Sequence, residues 1–104
     1  MKKCCAVLLS LLPLVAYAYP IDVDKQLDGV KLDYTTYDTD YDIGSITLNN
    51  YGQVAADCKV VFKNGPEAPR TRRVQVAAGK SADVTAKFNR KIIKLRIDLS
   101  CKPG

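Results

Sequence analysis

The sequence predicts an all-β fold, a small antiparallel sandwich of about seven short strands, and three observations carry that expectation. Apolar residues recur at every second position in one run after another, and no stretch keeps the 3.6-residue period of a helix. Turn-forming residues punctuate those runs at short intervals: Asp28-Gly29, Asn50-Tyr51-Gly52, Asn64-Gly65-Pro66, Ala78-Gly79 and Asn89. Cys58 and Cys101, the two cysteines outside the N-terminal segment, both fall on the apolar side of their runs.

The chain opens with a different pattern. Lys2 and Lys3 precede a mostly apolar run from Ala6 to Val15, and Ala16-Tyr17-Ala18 follows. Charge, apolar run and small-residue site in that order are the mark of a secretory signal peptide, with the cut expected between Ala18 and Tyr19. The run is shorter than the roughly 20 residues that cross a bilayer, and no comparable run follows it. A lipid-accepting cysteine must follow the apolar run, whereas Cys4 and Cys5 precede it, so lipidation is not expected. The expected organisation is a signal over 1–18 and one domain over 19–104, exported to a periplasmic or extracellular space.

Within that domain each strand has its own signal. Ile21 to Lys25 and Val30 to Tyr37 are expected as two strands joined by an Asp28-Gly29 hairpin turn. Ile46 and Leu48 alternate with Ser45, Thr47 and Asn49. Ala56, Cys58, Val60 and Phe62 share one side, with Asp57 and Lys59 opposite. Val74 and Val76 alternate with Arg73 and Gln75, and Ala82, Val84, Ala86 and Phe88 alternate with Ser81, Asp83, Thr85 and Lys87. The last run places Ile93, Leu95, Ile97, Leu99 and Cys101 on one face, with Lys94, Arg96, Asp98 and Ser100 on the other. Pro20, Pro66 and Pro69 stand at strand starts or in loops, where a missing amide hydrogen costs little.

Removal of residues 1–18 from a chain of 104 leaves 86, a size at which a covalent staple contributes substantially. An oxidising compartment is expected to pair Cys58 with Cys101 inside the core. The loop so closed spans 43 residues, for which chain entropy gives about 4 kcal/mol.

The formal charge is +5, of which Lys2 and Lys3 leave with the signal. From Tyr19 to Asp57 eight aspartates face Lys25 and Lys31, whereas from Cys58 onward twelve Lys or Arg face Glu67, Asp83 and Asp98. Such a split predicts halves that attract each other or present opposed faces. A basic exported domain points to anionic surfaces or polymers as partners, and export argues against nucleic acid.

The stretch from Asn49 through Cys101 resembles the immunoglobulin-like domains of many exported bacterial proteins. The shared features are Leu48-Asn49-Asn50-Tyr51-Gly52 closing an apolar strand, the small pair Ala55-Ala56 opening the next, and Gly79-Lys80-Ser81-Ala82-Asp83-Val84 as turn into strand. The resemblance covers about half the chain and implies an immunoglobulin-like β-sandwich; it does not imply a ligand. No tryptophan is present, so the core pattern of antibody domains does not carry over. The whole chain also looks like small exported proteins of pseudomonads, some bearing the label phosphoglycerate kinase. That activity needs two α/β lobes and a glycine-rich nucleotide site, and neither fits this length or pattern.

Candidate chemistry is sparse. The chain has no histidine, its later cysteines are expected in a disulfide, and Ser45, Ser81 and Ser100 have no evident base, so no enzyme and no cofactor is expected. Asp38, Asp40 and Asp42 alternate as a weak calcium candidate, but Ile43 stands where the sharp-turn glycine belongs and Asn49 where the bidentate glutamate belongs. Tyr34, Tyr37, Tyr41 and Tyr51 form a candidate aromatic contact surface, with strand packing as the alternative. Arg70, Arg72 and Arg73, together with Arg90, Lys91, Lys94 and Arg96, form a candidate surface for an anionic partner, with a solvated sheet face as the alternative. The expected function is non-catalytic binding of a protein or an anionic envelope surface. A small enzyme inhibitor using the segment Asn64 to Arg73, or an envelope-assembly component using an open edge near Asp33 to Asp42, are the alternatives.

Overall fold

Side chains that alternate across a pleated backbone sort into one buried and one wet face. The computed structural model, which describes residues Tyr19–Gly104, shows that sorting in seven strands and no helix among the described residues. The strands are β1 (Ile21–Leu27), β2 (Leu32–Asp40), β3 (Ile43–Asn50), β4 (Ala56–Lys63), β5 (Arg70–Val76), β6 (Ser81–Lys87) and β7 (Leu95–Pro103). The expected signal over 1–18 lies outside the described residues.

Two sheets result, one ordered β1-β7-β4-β5 and the other β2-β3-β6. Their inner faces meet in one apolar core. Ile46, Leu48 and Val84 come from the smaller sheet, and Val60, Phe62, Leu95, Ile97 and Leu99 from the larger. The fold is therefore the small all-β sandwich expected, with β3 paired to β6 in one sheet and β4 to β7 in the other.

Two details differ from the sequence-based expectation. First, β1 and β2 do not form a hairpin. β1 runs parallel to β7, from Ile21↔Leu95 to Leu27↔Cys101, while β2 pairs antiparallel with β3 in the other sheet. Gly29 supplies the left-handed turn, φ 76°, that the Asp-Gly pair signals, but the turn carries the chain from one sheet to the other. Asp28 N–H instead donates to Cys101 O at 3.0 Å, holding the end of β1 on β7. Second, Ile93 is not a core residue. β7 starts at Leu95, and in the irregular approach to it Ile92 is 3% exposed and Ile93 77%. The Cys58–Cys101 disulfide is the pair expected; it joins neighbouring strands of one sheet, with Cα atoms 4.1 Å apart at a directly opposed position. Both cysteines face the core, as their alternation requires.

One buried polar group organises the end of the sandwich remote from Tyr41. Asn50 is completely buried. Its Nδ2 donates to Val54 O (2.8 Å) and Val76 O (3.0 Å), and its Oδ1 accepts from Gly52 N (2.9 Å). A single amide thus satisfies backbone groups of the β3–β4 segment and of β5, which burial would otherwise leave unpaired. At the opposite end of β3, Gly44 packs against Leu95 so closely that an added Cβ would collide with its Cδ2.

Asn50→Ala is expected to cost about 2–4 kcal/mol by orphaning those groups. In a thermal melt this corresponds to a fall of roughly 10–25 °C. Reduction of the disulfide, or replacement of both cysteines by alanine, is expected to lower the midpoint by roughly 15–30 °C if loop entropy delivers its full ~4 kcal/mol. A fall under about 5 °C would show that the core holds without the bond.

Candidate functional site

The end of the sandwich that carries the β2–β3 turn also gathers the β4–β5 loop (64–69) and the β6–β7 loop (88–94). The β6–β7 loop is anchored by its apolar residues: Phe88 and Ile92 sink into the core, with 1% and 3% exposed. Their amides donate to the β2–β3 turn, Phe88 N to Asp42 O at 2.8 Å and Ile92 N to Tyr41 O at 2.7 Å. Asn89, Arg90, Lys91, Ile93 and Lys94 are left in solvent.

Glu67 joins the two loops. Its side chain, 9% exposed, accepts from Asn89 N through Oε1 and from Arg90 N through Oε2, both at 3.0 Å. Asn64 Nδ2 donates to Oε2 at 2.9 Å and also reaches Arg90 O at 3.3 Å. Burial works against ionisation of Glu67, but the Asn89 and Arg90 amides, the Asn64 side chain and the Arg70 charge together outweigh it and hold the carboxyl below its ordinary range.

The structure divides the seven basic candidates. Arg70 is a structural cation: it pairs with Glu67 at 3.5 Å, donates to Ala68 O and Lys87 O, and lies 5.0 Å from the Phe88 ring centroid. Arg90 and Lys91 sit on the β6–β7 loop, where the carboxylate that pairs with Arg70 also binds the Arg90 amide, and neither side chain forms an ion pair among the described residues. Lys94 pairs with Asp22 at 3.0 Å, both exposed. Arg96 lies on the outer face of the larger sheet, beside Lys63 in register. Arg72 lies on the exposed edge strand β5 and donates to Thr71 O. Arg73 belongs to a separate place. It is opposite Lys59 and shares with Lys59, Lys102, Gln26, Asp28, Asp57 and Ser100 a shallow concavity of about 330 Å³. The arginines of the segment Asn64 to Arg73 therefore stand on β5, and the loop proper ends at Pro69.

The tyrosines do not form one surface. Tyr34 turns inward at the β1 side, with Lys25 Nζ 5.6 Å from its ring centroid, and Tyr37 stands on the outer face of the smaller sheet with Thr39, Ser45 and Thr85. Tyr41 and Tyr51 flank opposite ends of the eight-residue β3, roughly 25 Å apart. The aspartates likewise diverge: Asp38 is exposed, Asp40 Oδ1 accepts from Tyr41 N–H, and Asp42 is buried with Lys87 Nζ 4.0 Å away. Among the described residues no three Asp, Glu, His or Cys side chains converge as a metal-holding group. What the three aspartates do share is Tyr19, whose hydroxyl donates to Ile43 O at 2.7 Å. Burial first, then the charges of Asp38, Asp40 and Asp42, push that phenol up to about 12.

Residues missed by pattern reading are Glu67, whose role needs two loops in contact, and Ile93, whose parity suggested a core position. No helix among the described residues is long and apolar enough to cross a membrane. The sequence matches no known protein family and no curated protein.

Because its folded pKa is depressed, Glu67 stabilises the fold above the ordinary glutamate range, and that contribution disappears as pH falls through the depressed value. Glu67→Gln is expected to melt several degrees below the wild type at neutral pH, with the gap closing below about pH 4. Melts across that range check this; a gap that persists unchanged in acid would show that the carboxylate charge does not hold the loops.

Proposed function

We propose that this chain is an exported, non-catalytic binding module that works in a periplasmic or extracellular space and holds an anionic partner at the end formed by the β4–β5 and β6–β7 loops. The observation that carries this reading is an imbalance of pairing. Four acids at that end are engaged, Glu67 with two amides and Arg70, Asp22 with Lys94, Asp42 with Lys87, and Asp40 with the Tyr41 amide, whereas Asp38 stays exposed on β2. Arg90 and Lys91 remain as unneutralised cations on a loop whose backbone is pinned. Fixed cations with no internal partner favour an anion arriving from outside.

Export is supported by the Lys2-Lys3, apolar, Ala16-Tyr17-Ala18 order and by the buried Cys58–Cys101 bond. A non-catalytic role is supported by the lack of histidine in the sequence and the commitment of both domain cysteines to the disulfide. The rival readings have weaker support. The 64–69 loop is clasped to its neighbour through Glu67, and the β2 edge carries Asp33, Asp38 and Asp40 and a register shift between Tyr37 and Asp40, features that discourage strand addition.

The test is retention of the oxidised protein on a polyanion matrix. Arg90→Glu with Lys91→Glu is expected to abolish retention at low salt, while Lys80→Glu with Lys102→Glu, an equal charge change at the other end, leaves most of it. Equal loss from both pairs would show that only net charge matters and would remove the assigned end. In parallel, the exported material should have the mass of Tyr19–Gly104 without free thiols; a product retaining Met1 would remove the export part.

A further inference from the structure

Ile93 is the most exposed of the large apolar side chains among the described residues, at 77%, and it stands in a loop whose charged residues, Arg90, Lys91 and Lys94, are all cations. A single exposed aliphatic residue is ordinary on a protein surface. This one differs in being held outward. Its neighbour Ile92 is sunk in the core and hydrogen-bonded to Tyr41 O, and the backbone of Asn89 and Arg90 is bound by Glu67, so the loop cannot turn to bury Ile93 without losing those contacts. Tyr41, 48% exposed, lies on the adjoining turn. The tip thus presents an aliphatic side chain among three basic groups, beside an amphipathic ring on a turn that Asp40 and Asp42 flank.

We infer that the anionic partner of this end is a phospholipid bilayer, with Ile93 entering the headgroup region while Arg90, Lys91 and Lys94 meet lipid phosphates; the inference rests on the anion-binding role assigned to this end above. A soluble polyanion satisfies the cations but offers nothing to Ile93. A bilayer offers both in the right order, anionic charge outside and apolar volume within, and basic side chains reach the charged layer while an apolar neighbour sits deeper. Tyrosine suits the same interface. Lys94 keeps this option because its pair with Asp22 is exposed and easily exchanged for a phosphate.

The chain contains no tryptophan, so Ile93→Trp introduces a unique emission probe at the tip. Its emission is expected to shift to the blue with phosphatidylglycerol vesicles and to stay unchanged with phosphatidylcholine vesicles. In co-sedimentation with the anionic vesicles, Ile93→Asp is expected to weaken partitioning of the oxidised full domain about tenfold. Loss of either Arg90 or Lys91 to alanine should weaken it about fivefold, as expected for one basic group near an anionic surface. Since all three side chains are exposed, unchanged melting midpoints verify the fold. Sedimentation without any emission shift, or equal binding to both lipids, would overturn the inference. Retention on the polyanion matrix with no vesicle binding would overturn it while leaving the anion-binding role intact, whereas loss of both would remove that role too.

Discussion

Cys58 and Cys101 stand opposite each other on the two central strands of the larger sheet, and the rest of the sandwich is arranged around that junction. The bond fastens the C-terminal strand β7 to β4 across a separation of 43 residues, converting a non-local pairing into a covalent one. β1 then covers the free side of β7, β5 the free side of β4, and the smaller sheet closes over the inner face. Since the cystine itself faces inward with Val60 and Leu99, it serves as both core packing and crosslink.

The unequal division of charge along the chain is only partly neutralised by folding. Lys94–Asp22 and Lys87–Asp42 join the acidic first half to the basic second half, but Lys63–Asp98 and Arg70–Glu67 lie within the second. Exposed pairs of this kind contribute little stability. Glu67 is the exception because its covered carboxylate also accepts two backbone amides and the Asn64 side chain. By holding Arg70 against Phe88 and the β6–β7 loop against the β4–β5 loop, it makes one cation structural and leaves Arg90 and Lys91 outward. The same clasp keeps Ile93 out of the core.

Much of the fold was legible from alternation because one face of each strand must be dry, and a period of two leaves a strong trace in β3, β4, β6 and β7. The trace failed where the backbone leaves the pleat. Ile93 lies two positions before Leu95 and so carries the same parity, yet the chain is not extended there and Ile92 takes the buried place. The tyrosines were close in sequence, but a strand carries its ends far apart and alternates its faces, so their proximity did not survive folding. Asn50 reads as a turn residue, and its complete burial follows from carbonyls contributed by Val54 and Val76, which no local pattern announces.

From sequence alone followed the all-β class, the faces of most strands and the inward direction of both cysteines, because these depend on local alternation and on chain chemistry. The partner of each strand, including the parallel placement of β1 on β7, was decided only in three dimensions. So was the meeting of two loops at Glu67. Such contacts depend on which apolar faces close over one another, and a turn signal states that the chain bends without stating what it will bend toward.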